Sequence, residues 1–162
     1  MVQPITYDST FDMVPAYPGM IADAMFTDKV TVACGAAAQA FGTVVATVAA
    51  TGRSVLPIGT NPISGVAIHD HNFSGGRISQ DTYVQYDAMS VMARGRIWGR
   101  AGGTCTKEAV AKYDPATGIF SDAGTATLAN AKFLSGNLTV IGTIPSDATS
   151  QMVLVELHNP TV

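Results

Sequence analysis

The chain has 162 residues, a net charge of −3 and only 13% charged residues. That length fits one domain with a sizeable core; the acidic balance makes nucleic acid the weaker class of partner, and the low charge fits a surface largely covered by partners. Glu is scarce among its acids beside many Gly, Thr, Val and Ala, which favours strands and turns over helices.

Residues 1–22 contain Pro4, Pro15 and Pro18 without an apolar period, and predict an extended arm over the surface, followed by a body over 23–162. The opening MVQPITYDSTFDMVPAYPGM has neither a basic start nor an apolar segment, so it does not read as a secretory signal. A free arm frays, so Tyr17, Pro18 and Met20 are candidate contacts to a partner. No charge occurs between Lys29 and Arg53. The stretch is long enough for a bilayer, but it is Ala, Gly and Thr with a central Gln and lacks Leu and Ile, so no membrane span is expected. Its Ala-rich part, 34–40, predicts one helical turn at most. Cys34 and Cys105 have no metal or redox spacing and read as small buried hydrophobes, with a disulfide as the lesser alternative.

Strand-like runs then alternate with turns: 41–48, 54–58 and 63–69, a loop over 71–82, a long run over 89–100, then 109–113, 137–144 and 151–157. Between them Asp114-Pro115-Ala116-Thr117-Gly118 predicts a hairpin, with Pro presetting φ, Asp bonding back to the backbone and Gly supplying positive φ. The spacing predicts an all-β fold, a barrel or sandwich.

The long run ends in RGRIWGRAGG, residues 94–103. Its glycines match neither GxxxxGK[ST] nor GxGxxG, and no amphipathic helix follows, so no nucleotide site is expected. With period two, Val91, Ala93, Gly95, Ile97 and Gly99 share one face, predicted to meet the interior; Met92, Arg94, Arg96, Trp98 and Arg100 share the other. Trp and Arg are the types most enriched in interface hot spots, so Arg94, Arg96, Trp98 and Arg100 are candidate partner contacts. The bland alternative is a solvated face with Arg stems over the indole. His69 and His71 have strand-compatible metal spacing, but no third ligand is fixed, and no essential metal is expected. No GxSxG or HExxH occurs, so neither a catalytic site nor a cofactor is expected.

The ordered segments AYPGMIAD (16–23), QAFGTVVATV (39–48), ISGVAIHDH (63–71), DAMSVMARGRIWG (87–99), AVAKYDPATGIF (109–120), NAKFLSG (130–136) and MVLVEL (152–157) resemble the tailed-bacteriophage structural cement proteins, which are capsid decoration proteins. The resemblance spans about residues 14–158. It implies an all-β fold, a single compact β-barrel or jelly-roll-like domain, no catalysis, the major capsid protein as partner, self-association as a homodimer or homotrimer, and a place on the outer capsid surface of a virion assembled in the host cytoplasm. It implies no membrane and no direct nucleic-acid contact. The alternative function is a small β-barrel binding module for a ligand or single-stranded nucleic acid, stacking on Trp98 and the tyrosines.

Overall fold

The computed structural model describes residues 17–69, 82–139 and 151–159. Among them there is no helix, and the expected all-β architecture is what forms. The strands are β1 (Ile21–Ala33), β2 (Gln39–Ala40), β3 (Val44–Val48), β4 (Arg53–Val55), β5 (Ile63–Ala67), β6 (Thr82–Tyr83), β7 (Ala88–Ala101), β8 (Val110–Tyr113), β9 (Ala126–Phe133), β10 (Leu138–Thr139) and β11 (Gln151–His158).

Pairing runs in two circuits that share β7. In the first, β7 pairs with β5, β5 with β3, β3 with β4, β4 with β1 through Ala33 and Arg53, and β1 returns to β7. In the second, β7 pairs with β11, β11 with β9 and β9 with β8, and Phe120 bridges from Tyr113 of β8 back to Ala101 of β7. Arranged this way, most long strands have neighbours on both sides, which removes open edges.

The core has two parts. The larger joins Val44, Val66 and Met92 of the first circuit to Ile97, Phe133, Val155 and Leu157 of the second, with Phe120 at its centre. The smaller collects Val32, Val45, Ala67, Met89 and Val91 under Phe41 and Tyr83. Strand β3 therefore buries both faces, Val44 and Ala46 on one side and Val45 on the other, which accounts for its unbroken apolar run. The charge-free stretch before Arg53 is the end of β1, bends, β2, β3 and a turn. No helix among the described residues is long and apolar enough to cross a membrane. The Ala-rich segment 34–40 makes bends and enters β2 rather than a helical turn.

The period-two reading of 91–99 requires correction. Val91 lies in the smaller core and Ile97 in the larger, and Met92, expected outward, is fully buried in the larger core. Ala93 is buried as expected. The cause is an irregularity in the register with β1: Lys29 faces Met92 but Asp28 faces Arg94. Ala93 is thus an extra residue on β7, and the alternation shifts there; Gly95, two residues on, has φ +127°, a conformation other residues rarely adopt. From Arg94 onward the register with β11 is unbroken.

The Asp114 turn forms as expected. Gly118 N–H donates to Asp114 O at 2.7 Å, Ala116 N–H to Asp114 Oδ1 at 3.0 Å, and Gly118 has φ +72°. Cys34 and Cys105 are buried free thiols. Burial pushes both thiols up, Cys105 to about 12 with help from the Asp122 charge. Asn137 clamps the loop after β7: its Oδ1 accepts from Cys105 N–H at 2.6 Å and its Nδ2 donates to Gly103 O and Gln151 Oε1. Of the runs expected over 71–82 and 137–144, only Thr82 and residues 137–139 lie within the described residues.

Candidate functional site

Along the C-terminal half of β7, Ile97, Gly99 and Ala101 face the larger core. Gly99 is needed for close packing, since a Cβ there would sit 2.5 Å from the Phe120 ring. Arg94, Arg96, Trp98 and Arg100 alternate with them and share the outer face, as expected. Each has a direct neighbour on β11: Arg94 faces His158, Arg96 faces Glu156, Trp98 faces Leu154 and Arg100 faces Met152. Exposure falls along this face. Arg94 and Arg96 are exposed, Trp98 and Arg100 partly buried, and Met152 is fully buried beside Arg100.

The Arg96 level forms an ionic row across four strands. Asp23 of β1, Arg96, Glu156 and Lys132 of β9 are consecutive cross-strand neighbours. Arg96 Nε donates to Glu156 Oε1 at 3.1 Å, and Arg96 Nη1 lies 3.8 Å from Asp23. Lys132 Nζ is 3.5 Å from Glu156 and 3.5 Å from Glu108, so the row alternates in sign from end to end. Opposite charges placed directly across strands stabilise a sheet modestly. Burial pushes the Glu156 carboxyl up, but the Arg96 hydrogen bond and charge, followed by Lys132 and His158, outweigh it and hold the carboxyl below its ordinary range.

Two residues further along lies an apolar level. Trp98 has Leu154 directly opposite, and Leu134 N–H donates to Leu154 O at 2.7 Å. On the other side, Trp98 N–H donates to Met20 O at 2.9 Å and Gly19 N–H to Trp98 O at 2.6 Å. The described end of the arm is thus seated beside Trp98. Met20 remains 38% exposed, Pro18 is buried against Gly42, and the Tyr17 ring meets His69 edge-on at 4.8 Å. Strand β1 begins at Ile21, inside the segment expected to be arm.

Of the candidates on the arm, the structure brings Met20 beside Trp98, while Tyr17 packs on His69 and Pro18 is buried against Gly42. It also adds Asp23, Lys132, Leu154, Glu156 and His158, which sequence reasoning did not single out. A signal for three of them exists in QMVLVELH, where Leu154, Glu156 and His158 alternate with buried Val153, Val155 and Leu157.

Beyond the ionic row the face opens into a depression of about 290 Å³, lined by Asp23, Arg94, Gly95, Arg96, Glu156, Leu157 and His158. Among the described residues no group of His, Cys, Asp or Glu gathers to hold a metal ion. His69 is wedged between the Tyr17 and Phe41 rings, and His71 lies outside the described residues. The mixed charge of the face suits protein contact better than a phosphate backbone, which asks for a basic stripe.

The chain belongs to the phage family described as "Structural cement protein (E217 gp24/Pam3 gp6)", whose model matches residues 5–158. It is thus a structural protein of the phage capsid. In fold it is similar to a chain of the solved structure titled "The capsid of Myoviridae Phage XM1", with a TM-score of 0.68 at 15% identity, over 96% of this chain and 98% of that one. Among curated proteins, none matches this sequence.

Proposed function

We propose that the protein binds the outer surface of the major capsid protein shell across subunit seams, as a homodimer or homotrimer, and stabilises the shell without catalysis. The observation that carries this is the family match over nearly the whole chain. A protein that binds the intact shell and not separated subunits stabilises the shell by linkage. It needs large contacts, on the order of 1,600 Å² each, and no chemistry. The face of Arg94, Arg96, Trp98 and Arg100, with Met20 beside Trp98, offers what such a contact asks for: a large aromatic, planar donors and an exposed Met; Tyr17 would add to it from the arm, whereas Pro18 is buried within the chain.

The test uses the full chain and shells of the phage's own capsid protein that lack it. Co-sedimentation is expected with intact shells and not with dissociated subunits, together with a rise in shell melting temperature. Failure to bind shells, with salt-dependent binding to single-stranded oligonucleotides instead, would move the protein to the class of binding modules.

A further inference from the structure

We propose that the first circuit carries a clasp at the seam between β1 and β4, which opens and recloses while the rest of the body stays folded.

The circuit is tied unevenly. On one side, β1 meets β7 in an unbroken run from Lys29 to Ala33. The contact continues past the strand: Cys34 N–H donates to Asp87 O at 2.8 Å, and Tyr86 N–H donates to Cys34 O at 3.0 Å. On its other side, among the described residues, β1 meets β4 at one position, Ala33 opposite Arg53. Next to it, Gly35 N–H donates to the Ser54 hydroxyl at 2.9 Å. β4 is three residues long and keeps β3 on its far side whether or not the seam is closed. Segments joined by so few backbone bonds are the first to part in a native protein.

A side-chain strap crosses this seam from outside. The end of β1 lies between Arg53 and Tyr86 in the pairing, and the Arg53 guanidinium lies 5.1 Å from the centre of the Tyr86 ring. Tyr86 is 67% exposed, so its ring fills no core. It stands third in the Val84–Asp87 turn, where Asp87 N–H donates to Val84 O at 3.0 Å, and its φ is +74°. Glycine takes that conformation without steric cost, and a tyrosine does not. What the ring contributes in exchange is the stack on Arg53, which ties β4 to the segment beyond β1.

Beneath the seam lies Cys34, a free and fully buried thiol in the smaller core with Val32 and Val45, beside the Ser54 side chain. The two segments approach closely enough that a Cβ on Gly35 would collide with Ser54 O. Parting β4 from β1 therefore uncovers Cys34 and frees a pairing edge on both strands. It leaves the second circuit alone, because β4 pairs with none of its strands. Cys105, the other free thiol, is in the loop after β7, where Asn137 clamps it.

The experiment labels the full-length protein with a maleimide in urea concentrations from zero to just below the melt, and follows each cysteine by peptide mass spectrometry. Cys34 is expected to react at a rate that hardly changes with urea, the mark of a local opening that bares little surface. A Cys34 rate that rises with the slope of the global urea melt would mean that the thiol is reached only through unfolding, and would overturn the clasp. Tyr86→Gly and Arg53→Ala remove the strap from its two ends. Each is expected to speed Cys34 labelling by roughly two- to fivefold, the worth of one exposed cation–π contact, and to leave Cys105 as it was. Tyr86→Gly is expected to melt as the wild type does, because glycine relieves the turn while the stack is lost. Equal acceleration of both thiols would mark a general loss of stability and overturn the inference. Unchanged Cys34 labelling in both variants would overturn the strap.

Discussion

Glu156 holds a semi-buried carboxylate between two cations on neighbouring strands, with its side chain 15% exposed. Its carboxyl is held below the ordinary range, so its charge contributes stability that is fully present above the unfolded carboxylate pKa and is lost as pH falls through the lower folded value. Glu156→Gln is therefore expected to lower the melting temperature at neutral pH, and the gap to wild type is expected to close in acid; melts across pH 2–8 would check it, and a gap independent of pH would assign the effect to packing. At Trp98 the expectation is the opposite, function lost with the fold retained. Trp98→Ala is expected to cost association about 2 kcal/mol or more, roughly thirtyfold in affinity, read by shell binding beside a circular dichroism melt. If the isolated domain unfolds instead, the indole belongs to the fold. The sequence reading treats Arg94, Arg96 and Arg100 alike, and the structure separates them. Arg96 is occupied by Glu156 and Asp23, Arg100 sits beside buried Met152, and Arg94, between Asp28 and His158, makes no ion pair among the described residues. Nothing in a single sequence marks that difference, because it depends on which residues stand opposite across the sheet.

Strand β7 is where local pattern and tertiary register part company. Alternation correctly groups Arg94, Arg96, Trp98 and Arg100, because that segment pairs with β11 without a slip. It fails between Met92 and Arg94, where Ala93 is an extra residue against β1 and the alternation shifts, so that Val91 and Ile97 go to different cores. Gly95→Ala is expected to destabilise by about 1–3 kcal/mol, the cost of forcing an L-residue into a sparsely populated conformation; urea melts would measure it, and a neutral result would show that the conformation there does not depend on glycine. Strand β9 is hidden for a related reason. Asn130, with φ +52°, interrupts the alternation between Leu128 and the Ala131–Phe133 pair, and the register with β8 shifts there. The Asp114 hairpin is readable because its bonds are made within one short segment. Strand β1 is not, because Asp23, Asp28 and Lys29 stand in it and it repeatedly slips against β7.

For the whole molecule, the two pairing circuits are made among described strands that begin at Ile21. Deleting residues 1–14 is expected to leave a folded domain with weaker assembly on shells; loss of the cooperative melt would instead place the arm in the core. The order in which the chain acquires its pairs has a further consequence. Ile97, in the middle of the sequence, meets Ile21 on one side and Val155 on the other, and β11, the last of the described strands, lies between β7 and β9 rather than at a rim. A nascent chain that has reached Phe133 still lacks the strand that joins its two halves. Folding is then expected to complete only after β11 leaves the ribosome, and to run in milliseconds to seconds, as topologies dominated by distant contacts do. Arrested chains ending before Gln151 are expected to be cut readily by protease, and chains extended well past His158 to resist it. Supply of the protein to a growing shell would thus be timed by the emergence of β11.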